Sequence, residues 1–231
     1  MTRRPSGELA PSIVSADLAR FGEQLAAVEP HSGRWHVDVM DGHYVPNLTI
    51  GPSTVGTIAR ISKLPQDVHL MIANPDATWR WYSDAGASRI AFHPATSSDP
   101  AALITTMREA GVGPGVAINP DEPAEEIDEL LAGVDHVVVM TVRPGFSGQA
   151  FIADVMPKLR TLRSWVDERR LDVQLVVDGG INRETAPLAV EAGADVLVSA
   201  SAVFGSEDPP AMARELASSW TVIPGAAAQP T

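Results

Sequence analysis

The chain has 231 residues, 45% of them hydrophobic and 20% charged, with no cysteine and a formal net charge of −12. That length and composition fit a globular protein with a large core, folded as one barrel-sized unit or two smaller ones. The acidity argues against nucleic acid and anionic membrane as partners, because both are gripped through basic surface. The absence of thiols excludes disulfides, thiolate catalysis and zinc–cysteine sites, and fits a reducing compartment.

Arg3-Arg4 is not followed by the apolar run of an export signal. No segment approaches the ~20 apolar residues of a membrane span, so a cytoplasmic location is expected. Residues 1–9 read as a loose lead-in and Pro11-Ser12-Ile13-Val14-Ser15 as a first strand. Asp17 can cap a helix reaching Val28, with Leu18, Phe21, Leu25 and Val28 on one face. Trp35 to Met40 is a second strand, broken by Asp41-Gly42, and a helix follows over about 52–61. The third strand is Asp67–Ile72, after which Asn74-Pro75 opens a helix ending near Gly86. Arg89–Phe92 is strand four, with a helix from Pro100 to Gly111; Gly115–Ile118 is strand five, with a helix near 123–132. His136–Val142 is strand six, followed by a helix over about 153–169. Val173–Val177 is strand seven, with a helix from Arg183 to Ala192, and Asp195–Val198 is strand eight, with a last helix from about Pro209 to Ser219. The Pro/Ala/Gly-rich end, residues 223–231, is expected to fray.

Eight short apolar strands, each followed by a helix, predict a parallel sheet, and several are apolar without alternation, as when both faces are buried. The number of repeats favours a (β/α)8 TIM barrel over residues 1–222 rather than an open doubly wound sheet. No Gly-x-Gly-x-x-Gly opens the first helix, which weakens that rival.

In a barrel the polar residues at the C-terminal strand ends are the ones to weigh. His36, Asp38 and Met40 share one face of the second strand, and two polar groups on a buried face need partners or a metal. His69 lies in strand three and Asp178 ends strand seven before Gly179-Gly180. Taken singly, His69 reads as a hydrogen-bonded core histidine and Asp178 as a turn former. Together the two imidazoles and two carboxylates would suit one divalent ion such as Zn, Mn, Fe or Co. Asp41 reads as a loop-structuring residue, and Trp79, Trp81 and Tyr82 as helix packing or surface. His31, His43, His93 and His136 receive no role. A second constellation is rich in small residues: Gly145-Phe146-Ser147-Gly148 after strand six, Gly179-Gly180 after strand seven and Ala200-Ser201 after strand eight. Such loops let backbone N–H groups approach an anion, so phosphate binding is expected there.

At this point the chain resembles the ribulose-phosphate 3-epimerase family from about Ala10 to Pro209. The motifs are Pro11–Asp17, His36–Asn47, Asp67–Met71, Val139–Phe146 and Val177–Asn182, of which the second is the most specific. The resemblance implies a ribulose-phosphate-binding barrel with one divalent ion held by His36, Asp38, His69 and Asp178. It makes Asp38 and Asp178 the paired acid and base and places Ser12, Met40 and His69 along the sugar. The implied reaction inverts carbon 3 of D-ribulose 5-phosphate to give D-xylulose 5-phosphate, a pentose phosphate pathway step, by two-base proton transfer through a metal-stabilised enediolate. A homo-oligomer is expected.

Three departures stand out. Ser147 occupies a usual glycine, His93-Pro94-Ala95-Thr96 replaces His-x-Glu-Ala, and Ala200 replaces the glycine of a Gly-Ser pair. If that last glycine is left-handed, alanine costs ~1–2 kcal/mol or shifts the loop. His93-Pro94, and Met140-Thr141-Val142 with Phe146, also resemble the sister allulose-6-phosphate 3-epimerases, so a hexulose phosphate is the alternative substrate. Two rivals fit less well. A phosphate-binding decarboxylase would need Asp-x-Lys-x-x-Asp, and Asp38-Val39-Met40-Asp41 has no lysine. A non-catalytic sugar-phosphate-binding barrel would not need two carboxylates for proton transfer.

Overall fold

A computed structural model describes residues 7–220. The strands are β1 (Glu8–Pro11), β2 (Trp35–Met40), β3 (Gln66–Met71), β4 (Arg89–Phe92), β5 (Gly113–Ile118), β6 (His136–Met140), β7 (Gln174–Asp178) and β8 (Val196–Ser199). All neighbouring pairs are parallel, in the order β1-β8-β7-β6-β5-β4-β3-β2. A parallel bridge between Ser12 and His36 brings the two ends of the sheet together. The expected (β/α)8 barrel is the fold observed.

The helices are α1 (Phe21–Val28), α2 (Pro52–Ile61), α3 (Pro75–Ala85), α4 (Pro100–Glu109), α5 (Met156–Arg169), α6 (Ala186–Ala192), α7 (Ser201–Phe204) and α8 (Pro209–Ala217). Three of them start alike. Asn74, Asp99 and Asp208 each accept the N–H of the residue three positions on, and each is followed by a proline that needs no hydrogen-bond partner. The apolar faces of the helices meet the outward strand residues in one large core that includes Trp35, Ile58, Ile90, Leu159 and Leu197. The barrel interior is a separate, smaller packing of Ala10, Ala91, Ala117, Val138, Val176 and Val196 with neighbours. Among the described residues no helix is long and apolar enough to cross a membrane.

Several expected bounds move. The first strand is Glu8–Pro11, where Leu9 pairs with Leu197, and the apolar Ile13-Val14 instead lies in a 3-10 turn whose start Ser12 caps. Part of the expected lead-in is therefore sheet. Asp17 caps a 3-10 turn and the α-helix begins only at Phe21, which leaves Leu18 73% exposed and off the buried face. The helix expected near 123–132 is two 3-10 turns, Ala124–Ile127 and Leu131–Gly133. Glu125, Glu126, Asp128 and Glu129 would repel one another at i,i+3 and i,i+4 spacing in an α-helix. The sixth strand stops at Met140, the sixth helix starts at Ala186, and α7 is a helix the periodicity does not reveal. The tail expected to fray lies outside the described residues.

The N-terminal end of the barrel is closed by a buried polar network. Arg34 donates to Glu8 Oε2 (2.7 Å) and Gln174 Oε1 (3.0 Å) and lies 3.7 Å from Asp67, and His136 Nε2 lies 3.1 Å from Asp67 Oδ1. Burial opposes the Asp67 charge, but His136, with His36 and Arg34 behind it, holds its carboxyl well below the usual range. The His136 ring needs space, and Gly115, its register partner on β5, supplies it: a Cβ there would sit 2.3 Å from the imidazole.

Candidate active site and metal centre

At the opposite end, strand alternation turns His36 and Asp38 of β2, His69 of β3 and Asp178 of β7 inward. All four are buried: the histidines are 0% exposed, Asp38 5% and Asp178 9%. One ligand atom from each lies within 4.8 Å of the others. His36 Nε2 is 3.2 Å from Asp38 Oδ1 and 3.6 Å from Asp178 Oδ2, and His69 Nδ1 is 3.3 Å and 3.5 Å from the same two oxygens.

These residues fit a cation. Buried polar atoms are rarely left without a hydrogen bond, yet His36 Nε2, Asp38 Oδ1 and His69 Nδ1 all lack one and converge on one point. The electrostatics point the same way. Burial disfavours charge on His36, but Asp38 and Asp178 outweigh it and raise its pKa well above that of a free imidazole. The same balance raises His69. Burial also works against the Asp38 carboxylate, and His36 and His69 overcome it and hold its pKa far below the usual range. The donor set of two imidazoles and two carboxylates suits a borderline divalent metal. Ser12 Oγ donates to the other carboxylate oxygen, Asp38 Oδ2, at 2.5 Å.

The ligand set opens on a cleft of about 250 Å³. Its walls include Asp38, Met40, Asp178 and every glycine-loop position expected to meet phosphate: Gly145, Phe146, Ser147, Gly148, Gly179, Gly180, Ala200 and Ser201. Ser12 and His69 are not on its wall; they sit behind Asp38 and within the ligand cluster. Met71 and Met140 line it as well. Strand alternation could have found both, since Met71 follows His69 by two residues and Met140 follows His136 by four.

Gly179 has φ +121°, and an added Cβ would lie 2.5 Å from Val142 Cγ2. Thr141 Oγ1 donates to the Gly179 carbonyl at 2.6 Å. Gly179→Ala is therefore expected to lose roughly 2–4 kcal/mol of stability from backbone strain and overpacking together, measured by urea denaturation. Ala200, by contrast, has φ −105° and ψ −87°. It is outside the left-handed region, so the strain expected for alanine there does not arise.

Asp41 organises the loop after β2, accepting the backbone N–H groups of Ala73 (2.8 Å), His43 (2.8 Å) and Tyr44 (2.9 Å). Asn47 Nδ2 ties the same loop to the Gly145 carbonyl at 2.7 Å. Of the histidines given no role, His136 belongs to the barrel floor and His93 touches His69. His93 is 1% exposed, and its Nε2 lies 3.0 Å from His69 Nε2. Burial, and then His69, push its pKa well below that of a free imidazole. Its sequence signal was alternation: Ala91 faces the barrel interior, and His93 is two residues on.

A parallel barrel with a buried His/Asp cluster that could hold a metal ion, opening on a cleft walled by glycine-rich loops, is the class of protein that fold and site define. Comparison with known proteins makes the class particular. The sequence model described as "Ribulose-phosphate 3 epimerase family" matches residues 8–204. Proteins named ribulose-phosphate 3-epimerase are 44% identical in Mycobacterium tuberculosis over 207 residues (88% of each chain) and 44% in Bacillus subtilis over 203 residues (87% of this chain and 94% of the relative). The one from Rhodobacter capsulatus is 46% identical over 205 residues, covering 88% and 89%. The chain belongs to the ribulose-phosphate 3-epimerase family. Among solved structures, 3-hexulose-6-phosphate synthase from Salmonella typhimurium aligns with TM-score 0.68 at 18% identity, covering 93% of this chain and 98% of that one. N-(5'-phosphoribosyl)anthranilate isomerase from Pyrococcus furiosus aligns with TM-score 0.64 at 18% identity, covering 94% and 100%. At such identities these two share the fold alone.

Proposed function

We propose that this protein inverts carbon 3 of a phosphorylated ketose, interconverting D-ribulose 5-phosphate and D-xylulose 5-phosphate. The observation that carries this reading is the pair Asp38 and Asp178. These are two buried carboxylates from well-separated strands, linked through the same two imidazoles and open to one cleft. Epimerisation beside a ketone needs one proton removed from carbon 3 and another delivered to the opposite face. Two carboxylates approaching from β2 and β7 can divide that work, and they exchange roles with the direction of reaction.

His36, Asp38, His69 and Asp178 would hold one divalent ion. When bound, it supplies Lewis-acid stabilisation of the negative charge that develops on the sugar oxygens. Ser12 occupies Asp38 Oδ2, which leaves Oδ1 as the atom facing the imidazoles. Met40, Met71 and Met140 present polarizable, weakly hydrogen-bonding walls that exclude water from a flat intermediate. In a protein of net charge −12, the backbone N–H groups of the loops after β6, β7 and β8 are the natural seat for the phosphate.

Incubation with each sugar phosphate in D₂O tests the reading. D-ribulose 5-phosphate should epimerise with deuterium entering carbon 3, and faster than D-allulose 6-phosphate. Product without deuterium would exclude proton transfer at that carbon, and preference for the hexulose would reassign the substrate.

A further inference from the structure

We propose that His93 is a positioning residue for the metal centre: its Nε2 lone pair accepts the Nε2–H of His69 and holds His69 in the tautomer whose Nδ1 is bare toward the two carboxylates. The inference rests on the reading of His69 as a ligand. A neutral imidazole carries one proton, and only the nitrogen without it can bind a cation. His69 Nδ1 is the atom that faces Asp38 and Asp178, so its proton belongs on Nε2. That proton is fully buried and needs an acceptor. The group within reach is His93 Nε2, at 3.0 Å.

The reverse arrangement, with His93 donating, would move the His69 proton to Nδ1 and block the site. No other contact of His93 sets its tautomer; accepting at Nε2 leaves its buried Nδ1–H without a partner, a cost that a cation at His69 Nδ1 would outweigh. The His93 ring is also held in place. Its carbonyl accepts the N–H of Thr96 (2.9 Å) and its hydroxyl (2.8 Å), which fixes the end of β4. The Tyr44 ring packs against the imidazole with centroids 4.8 Å apart, and the Tyr44 hydroxyl accepts a hydrogen bond from Asn119 Nδ2 at 2.9 Å. The loop after β2 thus braces a ligand on β3 through the residue that follows β4.

The test is direct titration of Co²⁺ into metal-free protein, followed by its visible absorption. Outer partners of ligating histidines typically contribute 10–100-fold in metal affinity. His93→Leu should weaken Co²⁺ binding by about that factor, and His93→Gln, which restores an acceptor oxygen, should recover most of it. A merely structural role would leave the two variants alike. Equal affinity of His93→Leu and the wild type, or of the two variants, overturns the proposal while leaving the metal centre intact. Failure of the wild type to bind Co²⁺ overturns the metal centre itself. Independently of any variant, the imidazole ¹⁵N spectrum of the Zn²⁺-loaded wild type should show His69 protonated at Nε2 and His93 at Nδ1. A proton on His93 Nε2 would also overturn the proposal.

Discussion

Asp178→Asn should lower kcat by about 10²–10⁴-fold, the range expected when a general acid–base group is lost, while the barrel still folds. The backbone of Asp178 is held independently of its charge: its carbonyl accepts the N–H of Thr141 at 2.8 Å within the β6–β7 ladder. Asparagine preserves shape and removes the base. The two epimers should then behave differently. The one whose carbon-3 proton faces Asp38 should still exchange with D₂O without inverting, and the other should do neither. NMR of each epimer in D₂O reads both outcomes. A variant that still interconverts them would show that another residue is the second proton carrier.

Stripping divalent ions should abolish turnover and lower Tm by about 5–10 °C. Four buried ligand groups share one small volume, and a ligand at a hundred times its Kd stabilises the native state by about 2.7 kcal/mol. For a chain of this size each kcal/mol moves Tm by about 2–4 °C. Scanning calorimetry with and without chelator, followed by restoration with Co²⁺ or Zn²⁺, measures the shift. Full activity and an unchanged Tm after chelation would remove the metal from the mechanism.

The barrel was legible in the sequence because its strands are short apolar runs at even spacing. The buried His/Asp cluster was legible because His36 and Asp38 are out of place on a buried strand. What the sequence concealed was contact between segments. His93 was given no role because its partner, His69, lies 24 positions earlier. Met71 and Met140 were not singled out, because methionine serves equally in a core and along a cleft. The first strand was displaced because Leu9-Ala10 and Ile13-Val14 are equally apolar, and only pairing with β8 separates them. The strain at Ala200 was inferred from a residue type, while the backbone angle that decides it depends on how α7 begins.

Among the described residues, the network of Arg34, Asp67 and His136 fills the barrel beneath the His/Asp cluster, and the cleft at the other end is the door. Sugar, water and exchangeable protons must all reach Asp38 and Asp178 through the mouth. Substrate and product therefore queue at the same opening, and each epimer is a competitor for the other's entry. A bound sugar also narrows that passage, so an aspartate that has taken a proton exchanges it with solvent through the same mouth and on the water that passes there.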